Sequence, residues 1–230
     1  MGRILTTIPR VRQHRATTVQ QACAFAPRWC IIVAVSAIAQ SLPCRDGELR
    51  WWPEAFPASD ATRLFALLRA TLPWQQERLT IFGREHPVPR LVAWHGDPGA
   101  RYRYSGVLHE PAAWTEALLE IRARVEALSG QRYNSVLANL YRDGRDGMGW
   151  HADDEPELGR NPVIASVSLG ATRRFRLKHR GSGETRALDL TDGSLLVMAG
   201  PLQHHWQHSL AKTARAVGPR INLTFREIRP

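Results

Sequence analysis

Two residues that could bind a metal ion, His151 and Asp153, lie in the run MGWHADDE. His208 follows 57 residues after His151, and the run RINLTFR, residues 220–226, begins 12 residues after His208. Two histidines and one carboxylate can hold one face of a ferrous ion and leave the opposite face open to other ligands. The two arginines that bound the last run could bind a dicarboxylate that chelates such an ion. The pattern predicts an oxygen-activating iron site that uses 2-oxoglutarate as co-substrate.

The metal motif is weak evidence when it stands alone, because a His-x-Asp tripeptide is frequent by chance and is mostly a surface feature. Its surroundings strengthen it, since WHADDEPE is too polar for a core and lies between two predicted strands. One intervening residue places both side chains on the same face of an extended segment. For the third ligand the run LQHHWQHSL offers His204, His205 and His208, and spacing does not choose among them. Histidines beside a tryptophan could also be packing or surface residues.

The run RINLTFR alternates strictly, which predicts a strand with one apolar and one polar face. The apolar face carries Ile221, Leu223 and Phe225. The polar face carries Asn222, Thr224 and Arg226. A solvated basic edge would also explain this polar face. In a closed sandwich the same face could point into a pocket, where buried arginines need an anion.

Two helices are predicted in the first half of the folded region. Ser59 and Asp60 are typical of a helix start, and the predicted apolar face of this helix carries Leu64, Leu67 and Leu68. The second helix is expected to contain Pro111 in its first turn and to end at Gly130. Its predicted apolar stripe is Trp114, Leu118, Ile121, Val125 and Leu128.

From residue 134 onward the pattern changes to short strands separated by turn signals such as RGSGE and TDG. The predicted strands are VIASVSL, RRFRLK, TRALDL, SLLVMAG and RINLTFRE. Two helices followed by many short strands predict an α+β domain whose strands form a sandwich or jelly roll.

The composition is ordinary for a globular protein, with 43% hydrophobic and 23% charged residues, and the net charge is +10. Residues 1–45 contain six arginines and no acidic residue, so 25 basic and 21 acidic residues remain in 46–230, a balance of +4. This mild excess fits a phosphate-containing partner without requiring one. All three cysteines precede residue 46, which excludes cysteine-ligated metal sites and a disulfide framework from the remainder.

The first 45 residues form a separate predicted segment, in which a basic stretch precedes the apolar run CIIVAVSAIAQSL. This layout is similar to a secretory signal, and the run is short for a membrane span. We favour a poorly ordered extension or translation begun upstream of the true start, because export would remove a 2-oxoglutarate enzyme from its co-substrate. The dioxygenase domain is therefore expected to comprise residues 46–230, to begin near Asp46 and to be cytoplasmic.

The stretch from Trp51 to Ile228 resembles the AlkB family of DNA and RNA dealkylating dioxygenases, in particular the branch of the mammalian nuclear repair homologues. The order and spacing of several runs carry this resemblance. These runs are IFGREHPVPR, YRYSG, NLYRDGRDGMGWHADDE, PVIASVSLGATRRFRL, GSLLVMAG, HWQHSL and RINLTFR.

The resemblance implies a double-stranded β-helix, a jelly-roll fold, with supporting N-terminal helices. It selects His151, Asp153 and His208 as the iron ligands and catalytic residues. It implies that 2-oxoglutarate is bound by Asn139, Tyr141, Arg220, Thr224 and Arg226. One arginine should pair with the distal carboxylate and the other should act near the iron-bound end, and the sequence does not assign these two roles.

The resemblance also implies residues that contact a nucleobase. Tyr102, Arg103 and Tyr104 correspond to a lid, and Asp154 and Glu155 could accept a hydrogen bond from an exocyclic amine. Phe82, Gly83 and Arg84 correspond to a hairpin tip that fills the gap left by a flipped base. The basic residues Arg173, Arg174, Arg176, Lys178 and Arg180 could follow a phosphate backbone or form a solvated face.

The function implied is oxidative demethylation of N-alkylated bases of the 1-methyladenine and 3-methylcytosine type, with DNA as the polymer and RNA left open. The expected reactants are Fe(II), O2 and 2-oxoglutarate, and a monomer without membrane association is expected. One alternative is an oxygenase of the same fold that acts on a protein, a lipid or a small molecule. Another is a nucleic-acid-binding module with a vestigial site, which the complete ligand set disfavours.

Overall fold

The computed structural model of the protein describes residues 38–81, 83–104 and 107–229. The side chains of residues 79–81, 102–104 and 107–109 lie outside this description. Within the described residues, no helix is both long enough and apolar enough to cross a membrane.

Short strands make up most of the described chain. The strands are β1 (Gln40–Leu42), β2 (Glu48–Trp52), β3 (Arg78–Ile81), β4 (Arg84–Pro87), β5 (Leu91–Gly96), β6 (Tyr102–Tyr104), β7 (Val107–His109), β8 (Ser135–Tyr141), β9 (Met148–His151), β10 (Ile164–Gly170), β11 (Arg173–His179), β12 (Thr185–Leu190), β13 (Ser194–Ala199), β14 (Trp206–Leu210) and β15 (Arg220–Arg226). The helices are α1 (Ala58–Thr71), α2 (Glu116–Ser129) and the short α3 (Leu202–His205).

Two antiparallel sheets form the centre of the fold. The larger sheet has the strand order β1-β2-β13-β10-β15-β8-β5, and the smaller sheet has the order β12-β11-β14-β9. The hairpins β3–β4 and β6–β7 are separate two-stranded sheets. From β8 to β15 the chain passes back and forth between the two sheets, apart from the hairpin β11–β12 within the smaller sheet. This arrangement is the predicted α+β jelly roll, the double-stranded β-helix.

The two long helices pack on one face of the larger sheet and bury a core there. Leu64 and Leu68 of α1 join Leu118 and Ile121 of α2 in one apolar cluster with residues of β8, β10, β13 and β15. The prediction for Leu67 is wrong, since this side chain is 41% exposed. It lies on the solvent side of α1 because only one narrow stripe of the helix contacts the sheet.

The predicted helix boundaries are partly right. Gly130 ends α2 with a φ of 72°, as predicted, because a residue without a Cβ adopts this left-handed conformation easily. Pro111 lies before the helix, whose N-cap is Thr115, and the Thr115 side chain accepts a hydrogen bond from the Leu118 amide. Ser59 lies inside the first turn of α1, which begins after Pro57 without a side-chain cap.

The predicted strands between residues 163 and 227 are all present. The predicted strands did not include β8, β9 and β14, two of which carry the histidines of the site. They also did not include the strands before and between the helices, above all β2 and β5, which extend the larger sheet toward its two ends. Strand β1 precedes the predicted domain boundary near residue 46 and pairs with β2. That boundary stays a prediction.

The glycine at the end of β10 gives a test of the fold. Gly170 has a φ of 87°, and a Cβ at this position would lie 2.6 Å from the Pro219 carbonyl oxygen and 2.8 Å from the Phe65 ring. We expect Gly170→Ala to lower the free energy of unfolding by about 2 kcal/mol or more, because strain and a backbone clash add. Gly183→Ala is the matched control, since its φ is 71° but nothing lies within 4 Å of the added carbon.

Urea unfolding of both variants measures this difference. The control should lose only about 1 kcal/mol, the cost of the left-handed conformation itself. Equal losses in the two variants would show that the Pro219 contact relaxes without cost.

Candidate active site

The three predicted metal ligands meet at one edge of the smaller sheet. His151 ends β9, and His208 lies opposite it on the neighbouring strand β14. Asp153 follows two residues after His151, in the loop that leaves β9. One ligand atom from each of the three lies within 4.8 Å of the others, so a single metal ion could contact all three. Strand pairing selects His208, because His204 and His205 lie in α3 and not on β14.

The protonation states in this cluster suit a metal ion. Burial and the neighbouring His151 lower the pKa of His208 to about 3, so its ring is neutral near pH 7 and can offer a lone pair. Burial alone would raise the pKa of Asp153, but Arg226, His208 and His151 together lower it to about 2. Asp153 is therefore an ionised carboxylate that supplies the negative charge of the cluster.

The hydrogen bonds of the histidine rings also fit a metal site. His151 Nδ1 lies 2.9 Å from the Gly149 carbonyl oxygen, which fixes the ring proton on Nδ1 and leaves Nε2 with its lone pair. His208 is buried, and its Nδ1 has no hydrogen-bond partner among the described residues. These two rings lie nearly edge to face, with centroids 4.2 Å apart.

A second cluster of possible ligands, Asp46, His179 and His205, does not pass the same test. The Ser182 amide donates to His179 Nδ1 at 2.9 Å, so the proton of the neutral ring lies on Nε2. This Nε2 is 3.2 Å from the Asp46 carboxylate and donates to it, so it has no lone pair for a metal. The cluster therefore connects the residues before β2 to the end of β11 as a hydrogen-bonded contact.

Two residues from other elements fix Asp153. Gln203 of α3 is buried, and its side-chain oxygen accepts a hydrogen bond from the Asp153 amide at 3.0 Å. Arg226 of β15 donates to Asp153 Oδ1 at 2.8 Å, and both side chains are nearly fully buried. The ion pair ties the loop after β9 to the larger sheet and places one predicted arginine at the metal end of the site.

The other predicted arginine is buried deeper in the larger sheet. Arg220 is only 2% exposed, donates to Ser168 Oγ at 2.8 Å and lies over the Tyr141 ring at 5.4 Å. Its Nε has no hydrogen-bond partner, and no carboxylate lies within 4.0 Å of its guanidinium, among the described residues. Burial, the largest influence, lowers the pKa of Arg220 to about 10, so the group is still charged near pH 7. A buried cation of this kind needs an anionic ligand.

A cavity of about 270 Å³ connects the metal cluster to Arg220. The polar face of β15 lines it through Asn222, Thr224 and Arg226, and Asn139 and Tyr141 of β8 lie beside them. The five residues predicted to bind 2-oxoglutarate are therefore brought together around one space. The apolar face of β15 packs into the helix-facing core instead.

Sequence reasoning missed several residues of this cavity. Arg90 is buried and donates to Asn139 Oδ1 at 2.7 Å, and Asn222 donates to Ser166 Oγ at 2.8 Å. Glu77 also lines the cavity. The run VPR directly before β5 was the one available signal for Arg90, because its arginine ends an otherwise apolar segment.

Only some of the residues predicted to contact the base lie at the cavity in the described part of the chain. Glu155 lines the cavity, whereas Asp154 does not line it and pairs with Arg180 at 3.1 Å. Gly83, with a φ of 75°, separates β3 from β4, and Arg84 begins β4 with an exposed side chain. Phe82 lies outside the described residues. Tyr102, Arg103 and Tyr104 form β6, and their side chains are likewise outside the description.

Comparison with known proteins identifies the family of the chain. The sequence profile of the 2OG-Fe(II) oxygenase superfamily matches residues 48–226, which include every residue of the metal cluster and the cavity. The chain belongs to the 2OG-Fe(II) oxygenase superfamily. This membership implies Fe(II) and 2-oxoglutarate. The neutral His208, the ionised Asp153 and the buried charge of Arg220 fit both groups.

The chain is similar to curated members of this superfamily. It is 45% identical to the DNA oxidative demethylase ALKBH2 of Bos taurus over 161 residues, and this aligned region covers 66% of this chain and 58% of that protein. It is 45% identical over 159 residues to the Homo sapiens ALKBH2, which covers 66% of this chain and 61% of that protein. It is 39% identical over 181 residues to the alpha-ketoglutarate-dependent dioxygenase alkB homolog 3 of Bos taurus, which covers 74% of this chain and 63% of that protein. The chain thus spans about three fifths of the length of these relatives.

Solved structures confirm the oxygenase fold. The structure of OsALKBH1 matches 82% of this chain and 100% of that chain with a TM-score of 0.56 and 15% identity. A Pseudomonas putida prolyl-4-hydroxylase matches 78% of this chain and 92% of that chain with a TM-score of 0.50 and 17% identity. At these identities the likeness concerns the jelly roll and not the substrate.

Proposed function

We propose that this protein removes methyl groups from N-alkylated bases of the 1-methyladenine and 3-methylcytosine type in DNA by oxidation. The proposal rests on one observation above all. The three metal ligands and Arg220 lie around one cavity, in a chain about 45% identical to proteins named DNA oxidative demethylase. RNA carries the same bases and is the second polymer to test.

When bound, Fe(II) and 2-oxoglutarate supply an oxidation by O2 that hydroxylates the methyl carbon and yields succinate and carbon dioxide. The hydroxymethyl base then loses formaldehyde. His151, Asp153 and His208 would hold the metal, and Arg226 keeps the Asp153 carboxylate oriented through its 2.8 Å hydrogen bond. Arg220 would bind the distal carboxylate of 2-oxoglutarate, because it is the buried cation farther along the cavity from the metal cluster.

Carboxylates at the cavity favour a cationic base. Methylation of adenine or cytosine at a pairing nitrogen gives the ring a positive charge near pH 7. Glu155 and Glu77 both line the cavity and could attract this charge, and Glu155 could also accept a hydrogen bond from the exocyclic amine. Apolar side chains nearby, including Trp94 and Phe175, would exclude water from the base.

A formaldehyde assay tests the proposal directly. The substrate is a single-stranded oligonucleotide that carries one 3-methylcytosine, with added Fe(II), ascorbate and 2-oxoglutarate. Release that requires 2-oxoglutarate is expected. If folded, iron-loaded protein releases none, the proposed substrate is wrong, and an oxygenase of the same fold acting on a protein, lipid or small molecule becomes the better proposal.

The hairpin β3–β4 gives a prediction about duplex substrates. We expect Phe82→Ala to reduce activity on double-stranded DNA at least about fivefold more than on single-stranded DNA, because a duplex base must be extruded and the gap filled. The measurement is the ratio of kcat/KM on a duplex and on its isolated lesion strand. Ser182→Ala, in the turn between β11 and β12, is the control hairpin variant. An equal loss on both substrates would contradict the proposal that Phe82 fills the gap left by the flipped base.

The chemistry also supports a proposed location and assembly. A cytoplasmic enzyme would have access to 2-oxoglutarate and reduced iron, and we propose that location. We propose a monomer because the three ligands and the cavity come from one chain. Analytical ultracentrifugation at micromolar concentration would detect a dimer.

A further inference from the structure

An exposed tryptophan lies next to a metal ligand. Trp150 is 42% exposed and directly precedes His151 on β9, which is the edge strand of the smaller sheet. Successive side chains of a strand point to opposite faces, so the indole faces outward where His151 faces the cavity. An exposed indole beside a nucleic-acid site offers a flat face on which a base can stack.

Arg176 of β11 accompanies this indole on the same outer face. Its guanidinium carbon lies 5.8 Å from the centre of the Trp150 ring, a cation–π distance. Ser209, its partner on β14, is small and buried, which leaves room for the arginine to reach across the sheet. Trp150 and Arg176 therefore form one aromatic and cationic patch on the outer face.

The charge of Arg176 is uncompensated by any carboxylate of the described chain. Two of the neighbouring basic residues are already paired, Arg174 with Asp189 at 2.8 Å and Arg180 with Asp154 at 3.1 Å. No carboxylate lies within 4.0 Å of the Arg176 guanidinium in the part of the chain that the structure describes. The patch therefore suits a ligand that combines a flat ring with a negative charge.

Arg173, by contrast, is not part of any backbone-binding surface. It is 4% exposed and donates to the carbonyl oxygens of Asp146 and Ala211. The suggestion that it follows a phosphate backbone is wrong, because the alternation of β11 turns it inward with Phe175 and Leu177.

We propose that Trp150 and Arg176 bind the nucleic-acid strand that carries the target base. One flanking base would stack on the indole, and the adjacent phosphate would pair with the guanidinium. The nucleic acid can reach this patch because no described β-strand pairs with the outer side of β9. A nucleic-acid strand that leaves the cavity beside His151 can therefore cross the edge of the smaller sheet. The inference rests on the proposed function, since it assumes a nucleic-acid substrate.

Binding of an unmodified 15-nucleotide single strand tests the patch without any catalysis. Fluorescence polarisation should show at least about fivefold weaker binding for Trp150→Ala, whereas Trp150→Phe should keep most of the affinity because a ring remains. Arg176→Gln should reduce the slope of log Kd against log salt concentration by about 0.7, the value for one phosphate contact on a single strand. Arg174→Gln is the matched control and should leave that slope unchanged, because its charge is already paired.

Substrate length provides the second readout. With 3-methylcytosine in a 15-mer, Trp150→Ala should lower kcat/KM by the same factor as the affinity. With the isolated 3-methylcytosine nucleotide, which has no flanking base to stack on the indole, activity should be unchanged. Equal loss on both lengths, or wild-type affinity of Trp150→Ala for the 15-mer, would overturn the proposal.

Failure of the proposed function has a different signature. If the wild-type protein releases no formaldehyde from either substrate, the demethylase proposal is refuted. The polarisation measurements would still test whether Trp150 and Arg176 bind a nucleic-acid strand. If the wild-type protein releases formaldehyde and the Trp150 and Arg176 variants behave like it in every assay, only the proposal that these two residues bind the nucleic acid is refuted.

Discussion

Replacing Asp153 with alanine should abolish 2-oxoglutarate-dependent turnover, with a loss of at least about a hundredfold. Asp153 supplies the only negative charge among the three metal ligands, and it is ionised because Arg226 and the two histidines keep its pKa at about 2. Without it, the positive charge of Arg226 faces the metal with no carboxylate between them. Both affinity for the divalent ion and turnover should therefore fall.

The adjacent residue is the matched control. Asp154→Ala removes the same group one position along the chain, but that carboxylate is half exposed and pairs with Arg180 outside the cavity. It should keep metal affinity, and its effect on turnover should be small. Isothermal titration with Mn(II) under anaerobic conditions measures metal affinity, and succinate formation measures turnover.

The fold of the variant must be separated from its chemistry. Asp153 and Arg226 form a buried ion pair, so Asp153→Ala could cost about 3 kcal/mol of stability. Asp153→Asn keeps the shape and one hydrogen-bond acceptor for Arg226 while removing the charge. If this folded variant binds Mn(II) and forms succinate like the wild type, Asp153 is not a metal ligand.

The sequence predicted the metal ligands better than the residues that hold those ligands in position. His151 and Asp153 are two residues apart, so their proximity is a local property that a motif contains. Gln203, which fixes the Asp153 amide, lies 50 residues away and reaches it only because α3 packs beside the loop. Such a partner has no local signature, since a polar residue in a short helix is ordinarily exposed.

Strand alternation is the most reliable signal in the sequence. It placed the polar face of β15 in the cavity, as Asn222 and Thr224 show. Applied to β11, the same rule puts Arg173 on the inner face with Phe175, which would have excluded it from a phosphate-binding surface. The helix periodicity was less selective, because Leu67 fits the apolar stripe of α1 but lies beyond the part that the sheet covers.

The choice of the third ligand and the roles of the two arginines needed the tertiary structure. Three histidines lie within five residues, and only the pairing of β14 with β9 brings His208 opposite His151. Likewise, Arg220 and Arg226 lie on the same face of β15, and they differ in the hydrogen-bond partners that the neighbouring elements provide. Arg226 meets Asp153 in the loop after β9, whereas Arg220 meets Ser168 of its own sheet.

Replacing Arg220 with alanine should raise the apparent KM for 2-oxoglutarate at least about thirtyfold, which corresponds to about 2 kcal/mol for one lost buried charge pair. The guanidinium is 2% exposed and has no carboxylate partner within the described residues, so its binding energy is available to a dicarboxylate ligand. The KM for the oligonucleotide should change little, because Arg220 acts on the co-substrate. Steady-state kinetics with each substrate varied in turn separate the two effects.

Two further variants make the assignment specific. Arg220→Lys keeps the charge and loses the planar fork, so its KM for 2-oxoglutarate should lie between those of the wild type and Arg220→Ala. Arg174→Ala removes an exposed arginine that is paired with Asp189, and it should behave like the wild type. If Arg220→Ala leaves the 2-oxoglutarate KM unchanged while Arg226→Ala raises it, the distal carboxylate is bound at the Asp153 end. The order of groups along the cavity would then be the reverse of the one proposed, and Arg220 would need another anion to account for its burial.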